Sequence, residues 1–171
     1  RHGVVGAVGE VRAEPPPTEG DGDIPDRGHV VIAGFGPVGR AIADRLEVAG
    51  VPLVIVELNP NTVERQVRMG KRRMVYGDVT NPEVLESAGV RGAKAVVVTV
   101  PDEQTCLRAC REARAINPDV FIAVRTAFLS GMFQATQLGA DHVTVEELAT
   151  ADAMQREVLV QLRKRDIVAS A

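Results

Sequence analysis

The strongest chemical signal in the chain is the hexapeptide Gly34-Phe35-Gly36-Pro37-Val38-Gly39. It follows the apolar run Val30-Val31-Ile32-Ala33 and leads directly into a helical pattern. Glycines at the first, third and sixth positions of a strand–turn–helix junction seat a pyrophosphate. Gly34 permits the tight turn, Gly36 lets phosphate approach the backbone, and Gly39 lets helix and strand pack closely. The helix start then offers free N–H groups and partial positive charge to an anion. Pro37 suits the first helical turn because its φ is already set. It also removes one amide that would hold phosphate. The same glycines alone would serve a tight turn without ligand, so the signal rests on its context.

Four further residues stand where a ligand crevice would run. Glu57 ends the second apolar run, 18 residues beyond Gly39. An acid there accepts hydrogen bonds from both ribose hydroxyls and repels a 2′-phosphate, which favours NAD over NADP. The plainer alternative is a solvated carboxylate at a strand end. Arg65 and Arg68, in the next helical segment, blur the distinction between the two cofactors. Asp78, in Gly77-Asp78-Val79-Thr80, would touch the adenine or its ribose, or serve only the turn. Thr80 or Asn81 would cap the helix that begins at Pro82. Thr99 ends the fourth apolar run, near the expected pyrophosphate. Arg125 ends the fifth, where a cation meets a phosphate or a second anionic ligand. Pairing with Asp102 or Glu103 is the competing role for Arg125.

The elements that position these residues are legible in the apolar pattern. Near-continuous aliphatic runs at 30–33, 53–56, 74–76, 95–99, 120–124 and 142–145 predict strands covered on both faces. Helical spacing predicts helices over 38–49, 60–69, 82–88, 102–116 and 128–138. Gly50, Gly70, Gly89 and Gly139 stand just past helix ends, where glycine stops a helix. Regular strand–helix alternation predicts an α/β fold with right-handed crossovers. The expected architecture is a Rossmann-like, doubly wound parallel sheet of six strands in the order 3-2-1-4-5-6, with an extra C-terminal helix.

Composition narrows the function classes. A length of 171 residues predicts one domain with a real core. A net charge of −3, four Phe, one Tyr and no Trp disfavour nucleic acid as a partner. His2, His29 and His142 with two Cys show no zinc-ligand spacing, so no metal is expected. No run of 18 apolar residues occurs, and no secretory signal pattern is present. The setting expected is cytoplasmic and reducing. Residues 1–27 hold five Gly and four Pro, a composition that predicts a disordered linker or tail before the domain at 28–145. The first residue is Arg, which suggests processing or excision from a longer chain. Cys106 and Cys110 share a helix face with Leu107 and Ala113 and are expected to pack on the sheet as small hydrophobes. Redox sensing or metal binding is the sharper alternative for the pair.

The last segment, 146–171, reads as a helix to about residue 165. Glu146 and Glu147 open it, and Arg163, Lys164 and Arg165 close it, which complements the helix dipole. Leu148, Ala151, Met154, Val158 and Leu162 form one apolar stripe, widened by Leu159 and Val160. Five earlier helices suffice for both faces of the sheet, so the stripe is surplus to its own core. A homodimer with this helix packed on the partner is expected. Folding back along its own sheet edge is the alternative.

Taken in order, Gly34 to Arg40, Glu57-Leu58-Asn59-Pro60, Gly77 to Pro82, Leu85 to Val90 and Ala95 to Thr99 resemble the TrkA-N, or RCK N-terminal, domain. The variety most similar is the cytosolic domain of Kef-type cation/proton antiporters. The resemblance runs from about Gly28 to Ala149. It implies a Rossmann domain that binds NAD(H), AMP or a related nucleotide. It also implies control of potassium or other monovalent cation flux through a membrane channel or antiporter domain, on the same or a separate chain. By position, Gly34, Gly36, Gly39, Glu57, Asp78 and Thr99 match the family's ligand-contact positions, and with Phe35, Pro37, Val38, Val79 and Arg125 they make up the expected cofactor-binding set. Relatives that bind ATP carry Arg where Pro37 stands, so the departure favours AMP or NAD(H). Many relatives add a C-terminal ligand subdomain, and the segment 146–171 is too short to be one.

The rival class is an NAD-dependent oxidoreductase or its cofactor domain. Hydride transfer calls for a substrate pocket and usually a general acid or base. Tyr76 lacks a Lys four residues on, where Thr80 stands, and His142 opens a strand. No catalytic residue is therefore assigned.

Overall fold

The computed structural model describes residues 24–25, 27–70 and 72–169. Most of the expected linker at 1–27 lies outside the described residues. Six strands form one parallel sheet in the order β3-β2-β1-β4-β5-β6, as the alternation predicts. They are β1 Val30–Ala33, β2 Leu53–Glu57, β3 Arg73–Tyr76, β4 Ala95–Val98, β5 Phe121–Thr126 and β6 His142–Val145. The helices are α1 Pro37–Val48, α2 Pro60–Arg68, α3 Pro82–Ser87, α4 Glu103–Ile116, α5 Leu129–Gln137 and α6 Glu146–Lys164. A single 3₁₀ turn, Val90–Gly92, follows α3 and is absent from the sequence expectation.

The boundaries follow from capping. Asn59 caps α2, accepting from the amides of Asn61 and Thr62 at 3.0 and 3.4 Å. Asn81, rather than Thr80, caps α3 through the Glu83 amide at 2.9 Å. Asp102 caps α4 through the Thr105 amide at 2.7 Å, so it stands outside the helix it was expected to open. Each such cap stabilises its helix by about 1 kcal/mol. The four predicted stop glycines all take up left-handed backbone after their helices.

The core has two layers, one on each side of the sheet. Val31, Val54, Val96, Ile122 and their neighbours pack against α3, α4 and α5. Ile32, Ile55 and Met74 pack with Phe35, Ala43 and Val63 beneath α1 and α2. Alternate residues of one strand thus enter opposite layers, which is why the strands read as continuous apolar runs.

The expectation that five helices cover both faces needs correction. Helices α1 and α2 lie chiefly over β1–β3. On that same face of β4–β6, Val97 and Ala123 are half-buried, while Phe121 and Thr144 are exposed. The reason is topological: α3, α4 and α5 all return on the opposite side, and only the helix after β6 is left for this half. α6 leaves without burying any residue.

Cys106 and Cys110 sit in the α4 layer, as the stripe predicts. Burial pushes the Cys106 thiol up to about 12 and the Cys110 thiol up to about 11. Both thiols are expected to stay unmodified by a thiol reagent at pH 8 in the folded chain and to react at once in denaturant. Rapid modification of either without denaturant would contradict the packing described.

Candidate functional site

The glycine turn lies at the carboxyl end of β1, in the centre of the sheet, where strand order reverses. Ligands of open α/β sheets bind at such switch points. Its first and last glycines are dictated by the fold. Gly34 has φ +108°, and a Cβ there would stand 2.8 Å from the Val100 side chain. A Cβ on Gly39 would stand 2.0 Å from the Gly34 carbonyl oxygen, so no other residue fits.

Gly36 is different. Its backbone is extended, with φ −75° and ψ −167°, and a Cβ there would meet nothing within 4 Å. Neither strain nor packing calls for glycine at this position. Gly36 is also the N-cap of α1 and offers no side chain to the first-turn amides. An exposed, uncapped helix start with open space before it fits a phosphate group. Pro37 occupies the first helical position, and Val38 is exposed beside it.

Glu57 is held firmly. One carboxylate oxygen accepts the Phe35 amide at 2.7 Å and the other accepts the Asn59 amide at 2.9 Å. Each oxygen keeps a second lone pair, so the group can still accept from a diol. The sequence placed Glu57 at the ribose position but contained no sign of its tie to the glycine turn. Phe35 and Val79 turn their side chains into the core, so either reaches a ligand through its backbone alone. The Phe35 ring is covered by the guanidiniums of Arg40 and Arg72, at 4.8 and 5.1 Å from its centre.

Asp78 stands exposed after β3 and closes an Asx turn, accepting from the Thr80 amide at 2.8 Å and its hydroxyl at 2.7 Å. Those two bonds hold its carboxyl below the usual carboxylate range. The turn role weighed for Asp78 is therefore present, and one carboxylate oxygen stays open to solvent. Thr99 is buried, and its hydroxyl donates to the Gly34 carbonyl at 2.9 Å. It braces the turn from below.

Arg125 pairs with neither carboxylate weighed for it. Asp102 is occupied by the α4 cap, and Glu103 accepts the Ala127 amide at 3.1 Å. Arg125 instead donates through Nε to Glu146, the first residue of α6, at 2.6 Å. A cavity of about 520 Å³ opens here, with Val38, Val97, Thr99, Ala123, Arg125 and Glu146 among its walls. It joins the start of α1 to the uncovered half of the sheet. Glu146 was read only as a helix-dipole residue. Its contact with the crevice follows from the immediate passage of β6 into α6, which spacing alone does not show.

Among the described residues, no helix is long and apolar enough to cross a membrane, and no cluster of metal-ligating side chains occurs. Comparisons with known proteins agree with the geometry. The glutathione-regulated potassium-efflux system protein KefC of Cronobacter sakazakii is 29% identical over 133 residues, covering 78% of this chain. The chain spans only 21% of that relative's length. The crystal structure of the TrkA-N domain of the Escherichia coli inner membrane protein ybaL superposes with a TM-score of 0.72 at 28% identity. That match covers 76% of this chain and 96% of the other. The Kef CTD of Shewanella denitrificans in AMP-bound form superposes with a TM-score of 0.68 at 25% identity, covering 78% of this chain and 80% of the other. The model of the TrkA-N domain matches residues 30–146, the whole sheet from β1 into the start of α6. With the strand order, the glycine turn and the acid on β2 all in place, the chain belongs to the TrkA-N domain family.

Proposed function

We propose that this chain is a nucleotide-sensing regulatory domain that takes NAD(H) or AMP at the glycine turn and does not turn it over. It regulates potassium or another monovalent cation through a membrane channel or antiporter domain, from the cytoplasmic side. The observation that carries this reading is Gly36: a glycine that the fold does not need, before an uncapped helix start. Phosphate would rest on the amides of Val38 and Gly39, and the ribose diol on Glu57. The AMP bound to the Shewanella Kef domain and the membrane transport systems among the relatives support the same reading. No observation among the described residues favours the oxidoreductase reading. His142 is exposed and hydrogen-bonded to Thr144, at the opposite end of β6 from the crevice. Calorimetric titration tests the proposal. AMP and NADH should bind and compete with each other, and NADH absorbance should stay constant over hours. No binding of either, or steady NADH oxidation, would overturn it.

The assembly part of the proposal rests on α6. None of its residues is buried, and Leu148, Met154 and Val158 stand at least half exposed along one stripe. A stripe of that size on a free helix is a contact surface. We infer a homodimer in which α6 packs on the partner, so that a change at the nucleotide is passed between subunits. The full chain should sediment as a dimer, and a chain ended after Val145 as a monomer. A full chain that stays monomeric at high micromolar concentration, with or without NADH, would remove the dimer from the proposal.

A further inference from the structure

Four contacts run unbroken from the glycine turn to α6. The Thr99 hydroxyl donates to the Gly34 carbonyl at 2.9 Å. Arg125 donates through one terminal nitrogen to the Thr99 carbonyl at 3.3 Å. Its Nε and its other terminal nitrogen both hold Glu146. Glu146 is the first residue of α6, and among the described residues this pair is the only side-chain polar tie between α6 and the sheet. The next residue adds one long backbone bond, from the Glu147 amide to the Ala127 carbonyl at 3.4 Å. No residue of α6 is fully buried, although Ala149 and Thr150 line the cavity, so these few polar contacts carry much of its attachment to the sheet.

The pair also faces the site. Arg125 and Glu146 line the same cavity as Val38, in the first turn of α1. In the sheet, β4 lies between β1 and β5. The Arg125 head reaches back over the end of β4, one strand spacing, or about 4.8 Å, from the end of β1. A first phosphate seated on α1 stands over β1. A second phosphate, directed along the cavity, comes within reach of the guanidinium.

The two partners of the pair are unequal. The Arg125 side chain is 22% exposed and Glu146 is 42% exposed. A carboxylate that exposed regains water when it is released. The more deeply set guanidinium needs an anion in its place, and a phosphate satisfies it with stronger charge and fork geometry.

We propose that Arg125 is a latch shared between Glu146 and the second phosphate of a bound adenine nucleotide. In the empty domain it holds α6. A diphosphate-bearing nucleotide, such as ADP or NAD(H), takes the guanidinium and frees the start of α6, whereas AMP does not reach it. This inference rests on the nucleotide reading above and names the residue that reports the ligand to the assembly helix.

Calorimetry of the full chain with AMP and with ADP tests it. Arg125→Gln should weaken ADP by about tenfold or more, the scale of a lost charge-assisted bond, and AMP by less than about twofold. Glu146→Gln, which removes the competitor, should tighten ADP about fivefold and leave AMP unchanged. In the Arg125→Gln background, Glu146→Gln should have no effect on ADP. Amide exchange over 145–150 should quicken with ADP, and in Glu146→Gln without nucleotide, but not with AMP. A pair that only shapes the crevice predicts the opposite sign: Glu146→Gln would weaken ADP or leave it unchanged, and that result overturns the latch. Equal loss of AMP and ADP in Arg125→Gln also overturns it. If AMP binds the unaltered chain and either result appears, the latch fails alone. If ADP fails to bind a chain that binds NADH, the latch fails alone; if AMP, ADP and NADH all fail to bind the unaltered chain, the nucleotide reading fails and the latch with it.

Discussion

Gly36→Val is expected to abolish nucleotide binding while the domain keeps its fold. The valine side chain would enter the space before α1 that the phosphate needs. Two charge-assisted bonds from first-turn amides would be lost, about 3 kcal/mol together, or at least hundredfold in affinity. The fold has no reason to object. Position 36 has ordinary extended backbone, and a Cβ there would meet nothing within 4 Å. Stability should therefore change by less than about 1 kcal/mol, mostly from valine being a poor N-cap. Calorimetry and thermal denaturation together read both halves. Gly39→Ala serves as the contrasting variant. Its methyl would stand 2.0 Å from the Gly34 carbonyl oxygen and 2.8 Å from the Thr99 hydroxyl. Helix and strand must move apart, at about 3 kcal/mol or more of stability. A Gly36→Val chain that binds AMP normally would refute the phosphate placement. One that unfolds would show that the space at position 36 belongs to the fold.

The contrast between those two glycines shows what a single sequence can and cannot reveal. Both stand in one motif, which assigns phosphate approach to Gly36 and helix–strand packing to Gly39. Only coordinates show that the fold has room for a side chain at the first and none at the second. Strand order was legible because parallel crossovers are right-handed and short, which leaves few ways to wind six alternating units. Helix ends were legible within a residue or two, because glycine, proline and the capping side chains act locally. The partner of Arg125 was not legible. Asp102, Glu103 and Glu146 lie at nearly equal distances from Arg125 in sequence, so spacing does not choose among them, and local caps and loop amides already use the first two. The uncovered half of the sheet escaped for a similar reason. Counting helices says how many exist, while coverage depends on which side each one returns. The 3₁₀ turn at Val90–Gly92 escaped because three residues carry too short a pattern to register.

Glu57→Ala carries the second large effect, and its two parts have separate causes. Read from sequence, Glu57 is a ribose acceptor, and its loss should weaken binding by about 1–3 kcal/mol. The structure adds a burden that the ligand does not share. Glu57 accepts the Phe35 amide from inside the glycine turn and the Asn59 amide at the cap of α2. Both amides lose a charged acceptor in the alanine variant. The Phe35 amide is the costlier loss, because the Phe35 ring is packed in the α1 layer and the turn cannot simply rotate it to water. A stability loss of about 1–3 kcal/mol is expected in the ligand-free chain, before any nucleotide is added. Glu57→Gln divides the two roles. Its one carbonyl oxygen can still accept the Phe35 amide, but its NH₂ end faces the Asn59 amide as a second donor. It should recover part of the stability and little of the affinity, since the amide cannot accept from both ribose hydroxyls. Denaturant titration without ligand measures the first part, and AMP calorimetry well below the unfolding transition measures the second. An alanine variant as stable as the unaltered chain would show that the turn holds its shape without the carboxylate. Unchanged AMP affinity in a folded alanine variant would remove Glu57 from the ribose site, leaving it only the turn to hold.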